Sequence, residues 1–333
     1  MDNISLNGTR ETVRRLMANI QKVIVGKQEA IQLVVMALMC RGHVLIEGGP
    51  GIGKTTLARS LAHSISGSFK RIQCTSDLLP SDITGTYVFD QRDADFHFRP
   101  GPVIANLVLV DEINRASPRT QSAFLEAMEE LQVTVDGITH RLPSPFLLIA
   151  TRNPLHHGGT FPLPETELDR FQLRVHLGYP SHEEETAMVE RHVSGSPLDT
   201  LEQVVGLEDM LAVQEVVRQV YVDPVLGDYV VTIVNATRHH PAIYMGASPR
   251  SSLAITRLAQ ARAFLDDRDF ATPDDVKSVA VPALGHRIIL VPSGESKVTE
   301  VSVIDEILAS LSVDESRLAT SSSRPTPEEQ ESS

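Results

Sequence analysis

The chain has 333 residues, a length that favours two domains. With 41% hydrophobic and 22% charged residues, its composition is ordinary for a soluble globular protein. The net charge of −13 at pH 7 disfavours nucleic acid as a partner, because an acidic surface repels phosphate backbones. The N-terminus shows no basic segment followed by an apolar one, and the longest apolar run, residues 33–40, is shorter than the roughly 18 residues of a membrane-spanning helix. We therefore expect a cytoplasmic protein without a membrane span.

Four short apolar runs along the chain predict strands at residues 44–46, 107–110, 146–150 and 173–177. Their continuous apolar character is typical of a parallel sheet that is covered on both faces. Helical segments, such as residues 118–131, lie between the runs. Strands that alternate with helices predict an α/β layered fold.

A glycine-rich stretch, Gly48 to Thr55, follows the first run and precedes a helix-forming segment. It fits the pattern G-x-x-x-x-G-K-[ST], in which glycines let the backbone curl and turn successive N–H groups towards phosphate oxygens. Lys54 would then bridge the outer phosphates, and Thr55 would ligate Mg²⁺. The residues predicted to bind the nucleotide here are Gly48, Pro50, Gly51, Ile52, Gly53, Lys54, Thr55 and Thr56.

Two segments have the alternation of β-hairpins. In residues 133–139 the pair Asp136-Gly137 supplies the positive φ angles of a tight turn. In residues 87–98 aromatic residues alternate on both arms of a polar turn. Two interpretations of this aromatic hairpin remain open: its side chains pack it onto the domain, or they face a substrate.

Polar side chains follow the second and third apolar runs. Asp111 and Glu112 come where a parallel strand opens onto a ligand crevice, and there Asp111 would hold the Mg²⁺ shell while Glu112 deprotonates the attacking water. A helix N-cap with an acidic first turn is the structural alternative. Asn153 would lie beside Asp111 if the two strands are neighbours, and its amide would then bond the γ-phosphate and the water. By itself, an Asn before Pro is more often a turn residue.

Two arginines complete the predicted site. Arg250 lies in the first turn of a helix that begins at Ser248, where the helix dipole disfavours a cation. A contact between Arg250 and a γ-phosphate would offset this unfavourable interaction and would couple domain closure to the nucleotide. The alternative is an exposed arginine without a role. Arg170, just before the last strand, is the other candidate, and a weak surface pair with Asp169 is its alternative.

The pattern changes after residue 180 to helices without strands. Helices are predicted to start where an N-cap residue precedes proline, at Asp223, Ser248 and Thr272. From about residue 313 onward, apolar residues become rare and Ser, Pro, Thr and Glu dominate. We therefore predict an α/β domain over residues 1–180, a helical domain over 181–312 and a disordered tail over 313–333.

Five segments together resemble an AAA+ ATPase, and more closely the MoxR family, over roughly residues 10–290. The segments are Gly48 to Thr55, Leu107 to Glu112, Thr151 to Pro154, Glu165 to Phe171 and Gly246 to Arg250. The motifs that are longer than generic ATPase chemistry requires are residues 77–85, 111–116 and 246–250. The resemblance implies an αβα P-loop core with a parallel five-stranded sheet and a C-terminal all-helical lid domain.

The resemblance also implies a role for each predicted site residue. Gly48 to Thr55 would be Walker A, Asp111 and Glu112 would be Walker B, Asn153 would be sensor 1 and Arg250 would be sensor 2. The cofactors would be ATP and Mg²⁺.

Arg170 would be an arginine finger that reaches the nucleotide of a neighbouring subunit. Such a finger requires a head-to-tail interface, which closes into a homo-oligomeric ring, commonly a hexamer. Val25 and Gly26 match the family's adenine-side segment. The hairpins at 87–98 and 133–139 match an insertion in the second helix and the hairpin before sensor 1.

MoxR-like proteins are associated with chaperone-like remodelling or maturation of protein complexes, often with a partner that carries a von Willebrand factor A domain. We therefore expect an ATP-hydrolysing ring with a protein client and no nucleic acid. A magnesium-chelatase-like motor subunit and a helicase-type nucleic-acid motor are the alternatives. Glu112 and Arg170 disfavour a module that binds nucleotide without hydrolysis. One departure from the family is His156-His157 after sensor 1, where acidic residues are common.

Overall fold

The computed structural model describes residues 6–153, 160–193, 195–292 and 298–312. The predicted tail at 313–333 and the pair His156-His157 lie outside the described residues. No helix in the described part of the chain combines the length and the apolar character that a membrane crossing requires. Contacts divide the chain into two compact units, of which the first ends at Gln219 and the second begins at Val220.

The first unit contains both helices and strands. Its helices are α1 (Leu6–Gln21), α2 (Gln28–Met39), α3 (Lys54–Ser64), α4 (Pro80–Thr84), α5 (Pro118–Glu130), α6 (Glu165–Leu168), α7 (His182–Val193) and α8 (Leu207–Arg218), with a 3-10 turn at Ile113–Arg115. Its strands are β1 (Val44–Glu47), β2 (Phe69–Gln73), β3 (Gly85–Asp90), β4 (Asp95–Pro100), β5 (Leu107–Asp111), β6 (Gln132–Val135), β7 (Ile138–Arg141), β8 (Leu147–Arg152) and β9 (Leu173–His176).

Five of these strands form one parallel sheet in the order β2-β5-β8-β1-β9, which confirms the expected parallel five-stranded core. Four of them coincide with the predicted apolar runs and are mostly buried. β2 is an edge strand, and only one of its five residues is buried. β2 therefore lacks the apolar run that identified the other four strands.

The core of the first unit lies against both faces of this sheet. Leu45, Val108 and Leu148 pack with Phe124 and Met128 of α5 in one hydrophobic cluster. The residues that alternate with them along the strands point to the opposite face and are buried as well. Both faces are therefore covered, as the continuous apolar runs predicted.

Both predicted hairpins are present. β6 and β7 are joined at Asp136 and Gly137, whose φ angles of 50° and 79° are the positive values that the sequence predicted. In the other hairpin, β3 pairs with β4 along its whole length. This pairing places the aromatic residues of the two arms opposite one another.

The aromatic hairpin agrees in part with each of its two interpretations. Tyr87 Oη lies 3.3 Å from Nε2 of His140 on β7, and the ring of Phe98 stacks on the imidazole with centroids 3.7 Å apart. Phe89 and Phe96 contact each other at 5.2 Å between centroids, yet 49% and 61% of their surfaces are exposed. The base of the hairpin is therefore packed against β7, and its tip presents aromatic surface to solvent.

The first compact unit extends beyond the predicted α/β domain. α8 packs on α1 and α2, and Nε2 of Gln214 donates a 2.7 Å hydrogen bond to the carbonyl oxygen of Leu38. The division by contacts therefore falls at Gln219 and not at residue 180. The pattern at residue 180 marks a change in secondary structure, and the helices α7 and α8 that follow it still belong to the first compact unit.

The second unit is helical, as predicted, and adds one small antiparallel sheet. Its elements are α9 (Pro224–His239), β10 (Ile243–Met245), α10 (Pro249–Leu265), α11 (Pro273–Leu284), β11 (Ile289–Leu290) and α12 (Glu300–Ser310). The three predicted N-caps are confirmed, because the side chains of Asp223, Ser248 and Thr272 each accept a backbone N–H of the following turn. The sheet was not predicted, since strands of three and two residues are too short to show an alternation.

Candidate functional site

The loop between β1 and α3 has the backbone of a phosphate-binding loop. Gly51 and Gly53 have φ angles of 74° and 93°, in the left-handed region that glycine enters without strain. α3 begins directly afterwards, at Lys54. The first N–H groups of a helix have no partner within the helix, and they lie at the positive end of its dipole. Backbone donors and a positive potential therefore meet at this loop, which is the arrangement that binds anions.

A pocket of about 480 Å³ opens beside this loop within the first unit. Its walls come from the loop with the start of α3, from the chain before α2, and from the chain between Leu177 and α7. The predicted residues that line it are Val25, Gly51, Ile52, Gly53, Lys54, Thr55 and Thr56. Gly26, Gly48 and Pro50 were also predicted to bind the nucleotide, and they are not among the lining residues.

α7 contributes to this pocket, which the sequence did not predict. Glu184, Met188 and His192 recur at intervals of four on α7, and all three line the pocket. Lys27 Nζ lies 3.3 Å from Oε2 of Glu184 and donates a 3.0 Å hydrogen bond to the carbonyl oxygen of Tyr179. These contacts join the chain before α2 to the start of α7. The spacing of four residues is the signal in the sequence that places these side chains on one helix face.

Lys54 is held across the loop. Its Nζ donates to the carbonyl oxygens of Gly48 and Gly49, both at 2.6 Å. Burial lowers the pKa of Lys54 below its ordinary value, and the carboxylates of Asp111 and Glu112 oppose that shift. The Lys54 ammonium therefore lies within the electrostatic field of the two carboxylates.

Asp111 is a buried carboxylate at the end of β5. Its Oδ1 accepts a 2.7 Å hydrogen bond from Thr151 Oγ1, and its Oδ2 accepts a 3.1 Å hydrogen bond from Thr55 Oγ1. Arg71 of β2 donates to the same Oδ2 from Nε at 2.9 Å and from Nη2 at 2.6 Å. Three neighbouring strands and the start of α3 therefore meet at one side chain.

Glu112 follows in the left-handed conformation, with φ 56°. This conformation costs a residue with a side chain about 1–2 kcal/mol, and local contacts hold Glu112 in it. Its backbone N–H donates to Thr151 Oγ1 at 2.9 Å, and its Oε2 accepts from Arg115 Nη1 at 3.0 Å and from Gln73 Nε2 at 3.4 Å. The Glu112 side chain is partly exposed, so water reaches the carboxylate.

Asn153 satisfies the condition under which it was predicted to lie near Asp111. β5 and β8 are neighbours, and Val110 pairs with Ala150. β8 ends at Arg152, and Asn153 follows directly. Because the carboxyl ends of parallel strands meet at one edge of a sheet, Asn153 and Asp111 lie at the same edge.

The two predicted arginines lie in different units. Arg170 Nη1 lies 2.7 Å from Oε2 of Glu129 and donates to the carbonyl oxygen of Leu125 at 3.3 Å, so it is bound to α5 and does not line the pocket. Arg250 lies in the first turn of α10, as predicted, and its backbone N–H donates to Ser248 Oγ at 3.2 Å. The residue is exposed.

The donors at this edge suit a nucleotide together with Mg²⁺. Magnesium prefers oxygen ligands, commonly one or two carboxylates together with phosphate and water oxygens. The Asp111 carboxylate and the Thr55 hydroxyl supply such oxygens 3.1 Å apart. Lys54 and the N–H groups of the loop suit phosphate oxygens.

Comparison with known proteins agrees with this geometry. Residues 43–173 match the model of the ATPase family associated with various cellular activities (AAA), and residues 235–307 match the model of the AAA lid domain. The parallel five-stranded sheet, its glycine loop and these two matches define a protein of the AAA+ ATPase class.

Individual relatives show the family within this class. Chaperone MoxR1 of Mycobacterium tuberculosis is 41% identical over 288 residues, which cover 84% of this chain and 76% of the relative. YeaC of Bacillus subtilis is 45% identical over 306 residues, covering 92% and 96%. The crystal structure of a candidate ATPase from Cytophaga hutchinsonii has a TM-score of 0.86 at 36% identity, covering 92% of this chain and 96% of that one. The chain belongs to the MoxR family of AAA+ ATPases.

Proposed function

We propose that this protein hydrolyses ATP with Mg²⁺ in a homo-oligomeric ring, and that the ring remodels or matures protein complexes. The observation that carries the proposal is the arrangement at one edge of the sheet. There Thr55 lies within hydrogen-bond distance of Asp111, Glu112 follows Asp111, and Lys54 lies in the field of both carboxylates. Each part of this arrangement has a place in phosphoryl transfer.

When bound, MgATP supplies an electrophilic phosphoryl group and a divalent cation that stabilises the charge of its transfer. Lys54 and the N–H groups of the loop would hold the phosphates, and Thr55 with Asp111 would hold the cation. Glu112 is open to water and would accept the proton of the attacking water, a contribution of about 10²–10⁴ in rate. Asn153 would orient that water.

The apolar part of the pocket would take the base. Val23, Val25 and Leu177 line it together with Met188 of α7. A largely apolar pocket with a few convergent polar groups is typical of a small-molecule site. Val25 would therefore lie beside the adenine, at the opposite end of the nucleotide from Asp111, and Gly26 follows it directly in the chain.

Arg170 supports the ring. It is bound to Glu129 on α5 and does not line the pocket of its own chain. As an arginine finger it would act on the nucleotide of a neighbouring subunit, which requires a head-to-tail interface and a closed ring such as a hexamer. Arg250 would act as sensor 2.

The relatives support a protein client. The relative from Mycobacterium tuberculosis carries the name Chaperone MoxR1, and a chaperone acts on other proteins. The net charge of −13 supports a partner other than nucleic acid. We propose a cytoplasmic ring that acts on a protein complex together with a protein carrying a von Willebrand factor A domain.

Turnover as a function of protein concentration tests the proposal. ATP turnover per subunit should rise with wild-type concentration, because each site needs the neighbour's Arg170. Arg170→Ala should lose about 10³ or more of this turnover and still bind ATP. Arg14→Ala, at an exposed arginine of α1, is the matched control and should behave as wild type. Equal turnover of Arg170→Ala and wild type at every concentration would contradict the ring.

A further inference from the structure

Arg71 reaches Asp111 from the edge strand of the sheet. It lies on β2, where Gln73 pairs with Asp111 and Arg71 lies two residues before that pair. Its guanidinium donates two hydrogen bonds to Oδ2 of Asp111, at 2.9 and 2.6 Å, and a third to Oε1 of Gln73 at 3.0 Å. None of the roles proposed above uses this arginine.

The oxygen that Arg71 bonds is the one that faces Thr55. Oδ1 of Asp111 already accepts from Thr151, whereas Oδ2 accepts from Thr55 and from Arg71. A cation held between Asp111 and Thr55 would therefore approach Oδ2. A guanidinium and Mg²⁺ at the same oxygen repel each other, because both are positive and the carboxylate is buried where screening by water is weak.

The two members of the pair differ in their access to water. The side chain of Arg71 is 49% exposed, whereas that of Asp111 is 8% exposed. Arg71 keeps its contact with solvent when it leaves the carboxylate, and Gln73 offers it a second acceptor. Asp111 has no such freedom, because it is fixed between β8 and α3 by two hydroxyl donors. An exchange of cations at Oδ2 would therefore move the arginine and leave the carboxylate in place.

We propose that Arg71 is a positioning residue that compensates the charge of Asp111 before Mg²⁺ binds, and that it competes with Mg²⁺ for Oδ2. Arg71 thereby sets the free Mg²⁺ concentration at which the nucleotide binds. This inference rests on the proposed function, because it takes Asp111 and Thr55 as the residues that hold the cation.

A magnesium titration of nucleotide binding tests the inference. Binding of a fluorescent, non-hydrolysable ATP analogue is measured by polarisation while free Mg²⁺ is raised from the micromolar to the millimolar range. Removal of the competing charge in Arg71→Gln should lower the Mg²⁺ midpoint about tenfold, as expected for a charge-assisted hydrogen bond. Lys70→Gln removes the same charge from the exposed neighbour on β2 and should keep the wild-type midpoint.

A midpoint of Arg71→Gln that equals or exceeds that of wild type would overturn the inference, since the arginine would then assist binding or take no part in it. Failure of wild type itself to bind the analogue at any Mg²⁺ concentration would instead overturn the proposed function.

Arg71→Lys keeps the charge, and it takes the place of Arg71→Gln in the titration if Arg71→Gln does not fold. A lysine makes fewer hydrogen bonds than the guanidinium, so its midpoint should fall between those of wild type and Arg71→Gln. If Arg71→Lys alone folds, a midpoint a few-fold below that of wild type supports the competition, and an unchanged or higher midpoint refutes it.

Discussion

Two buried carboxylates, one in each compact unit, bond an arginine in different ways. Asp275 of the second unit accepts from Arg268 on both oxygens at 2.6 Å. Thr272 adds bonds to Asp275 from its backbone N–H at 2.7 Å and from its hydroxyl at 2.8 Å. Arg268 also donates hydrogen bonds to Asp266 Oδ2 and to the carbonyl oxygen of Phe270, both at 3.1 Å.

Asp111 of the first unit is bonded on one oxygen by an arginine that is half exposed. Its other two bonds come from Thr55 and Thr151. Arg268 therefore bonds both oxygens of its carboxylate, whereas Arg71 bonds only Oδ2 of Asp111 and keeps about half of its side chain exposed to solvent. The comparison teaches that two buried carboxylates, each paired with an arginine, can differ in how exposed the arginine is and in how many of their oxygens it bonds.

Removal of Arg268 should have the largest effect on folding. Arg268→Ala leaves Asp275 buried without its charge partner, and we expect the free energy of unfolding to fall by about 3–5 kcal/mol. Urea denaturation of the full chain measures it. Arg262→Ala, which removes a partly exposed arginine that pairs with the exposed Asp266, should cost about 1 kcal/mol or less. Equal losses of unfolding free energy in Arg268→Ala and Arg262→Ala would show that the Arg268–Asp275 pair does not stabilise the fold more than a surface pair does.

His43 is a buried titratable side chain without a charged partner among the described residues, because both of its ring nitrogens bond backbone groups. Leu148 N–H donates to Nδ1 at 3.1 Å, and Nε2 therefore carries the proton that bonds the carbonyl oxygen of Met128 at 3.0 Å. Burial lowers the pKa of His43 from 6.5 to about 4. The folded chain therefore keeps this histidine neutral where the unfolded chain is protonated.

Acid should consequently destabilise the fold through His43. Since the folded pKa lies below the unfolded one, its contribution is present above pH 6.5 and is lost as the pH falls towards 4. Between pH 7 and 4.5 the loss should be about 2–3 kcal/mol. His43→Gln should lack this part of the pH dependence. Parallel pH profiles of the free energy of unfolding for wild type and variant would show that His43 is not the cause.

Removal of Arg71 should affect folding less than removal of Arg268 or protonation of His43. Arg71→Gln should lower the free energy of unfolding in EDTA by about 1–2 kcal/mol, because Thr55 and Thr151 still donate to Asp111. Urea denaturation beside Arg268→Ala measures the difference. A loss as large as that of Arg268→Ala would mean that both pairs are structural, and the contrast between the two units would disappear.

The sequence predicts those parts of the fold and site that depend on neighbouring residues. Gly48 to Thr55 forms a contiguous motif, and the positive φ angles at Gly51 and Gly53 follow from it. Asp111 and Glu112 directly follow a buried run that had to be a strand. The same locality explains why the hairpin turn at Asp136 and the N-caps of the second unit were predicted.

The remaining features depend on which distant segments become neighbours. Arg71 bonds Asp111 because β2 lies beside β5, an order that no local pattern encodes. Arg170 meets Glu129 only when the chain before β9 returns to α5. The pocket residues on α7 were missed for the same reason, since the change of pattern at residue 180 suggested that α7 belongs to another domain.

The central claim is that the chain hydrolyses ATP with Glu112 as the base. Glu112→Gln tests it most directly when ATP binding and single-turnover cleavage are measured on the same samples. We predict that the variant binds ATP as wild type does and cleaves it about 10²–10⁴ times more slowly, because the amide cannot accept the water's proton. Glu130→Gln, at an exposed glutamate of α5, should leave both quantities unchanged. Cleavage by Glu112→Gln at the wild-type rate would contradict the account.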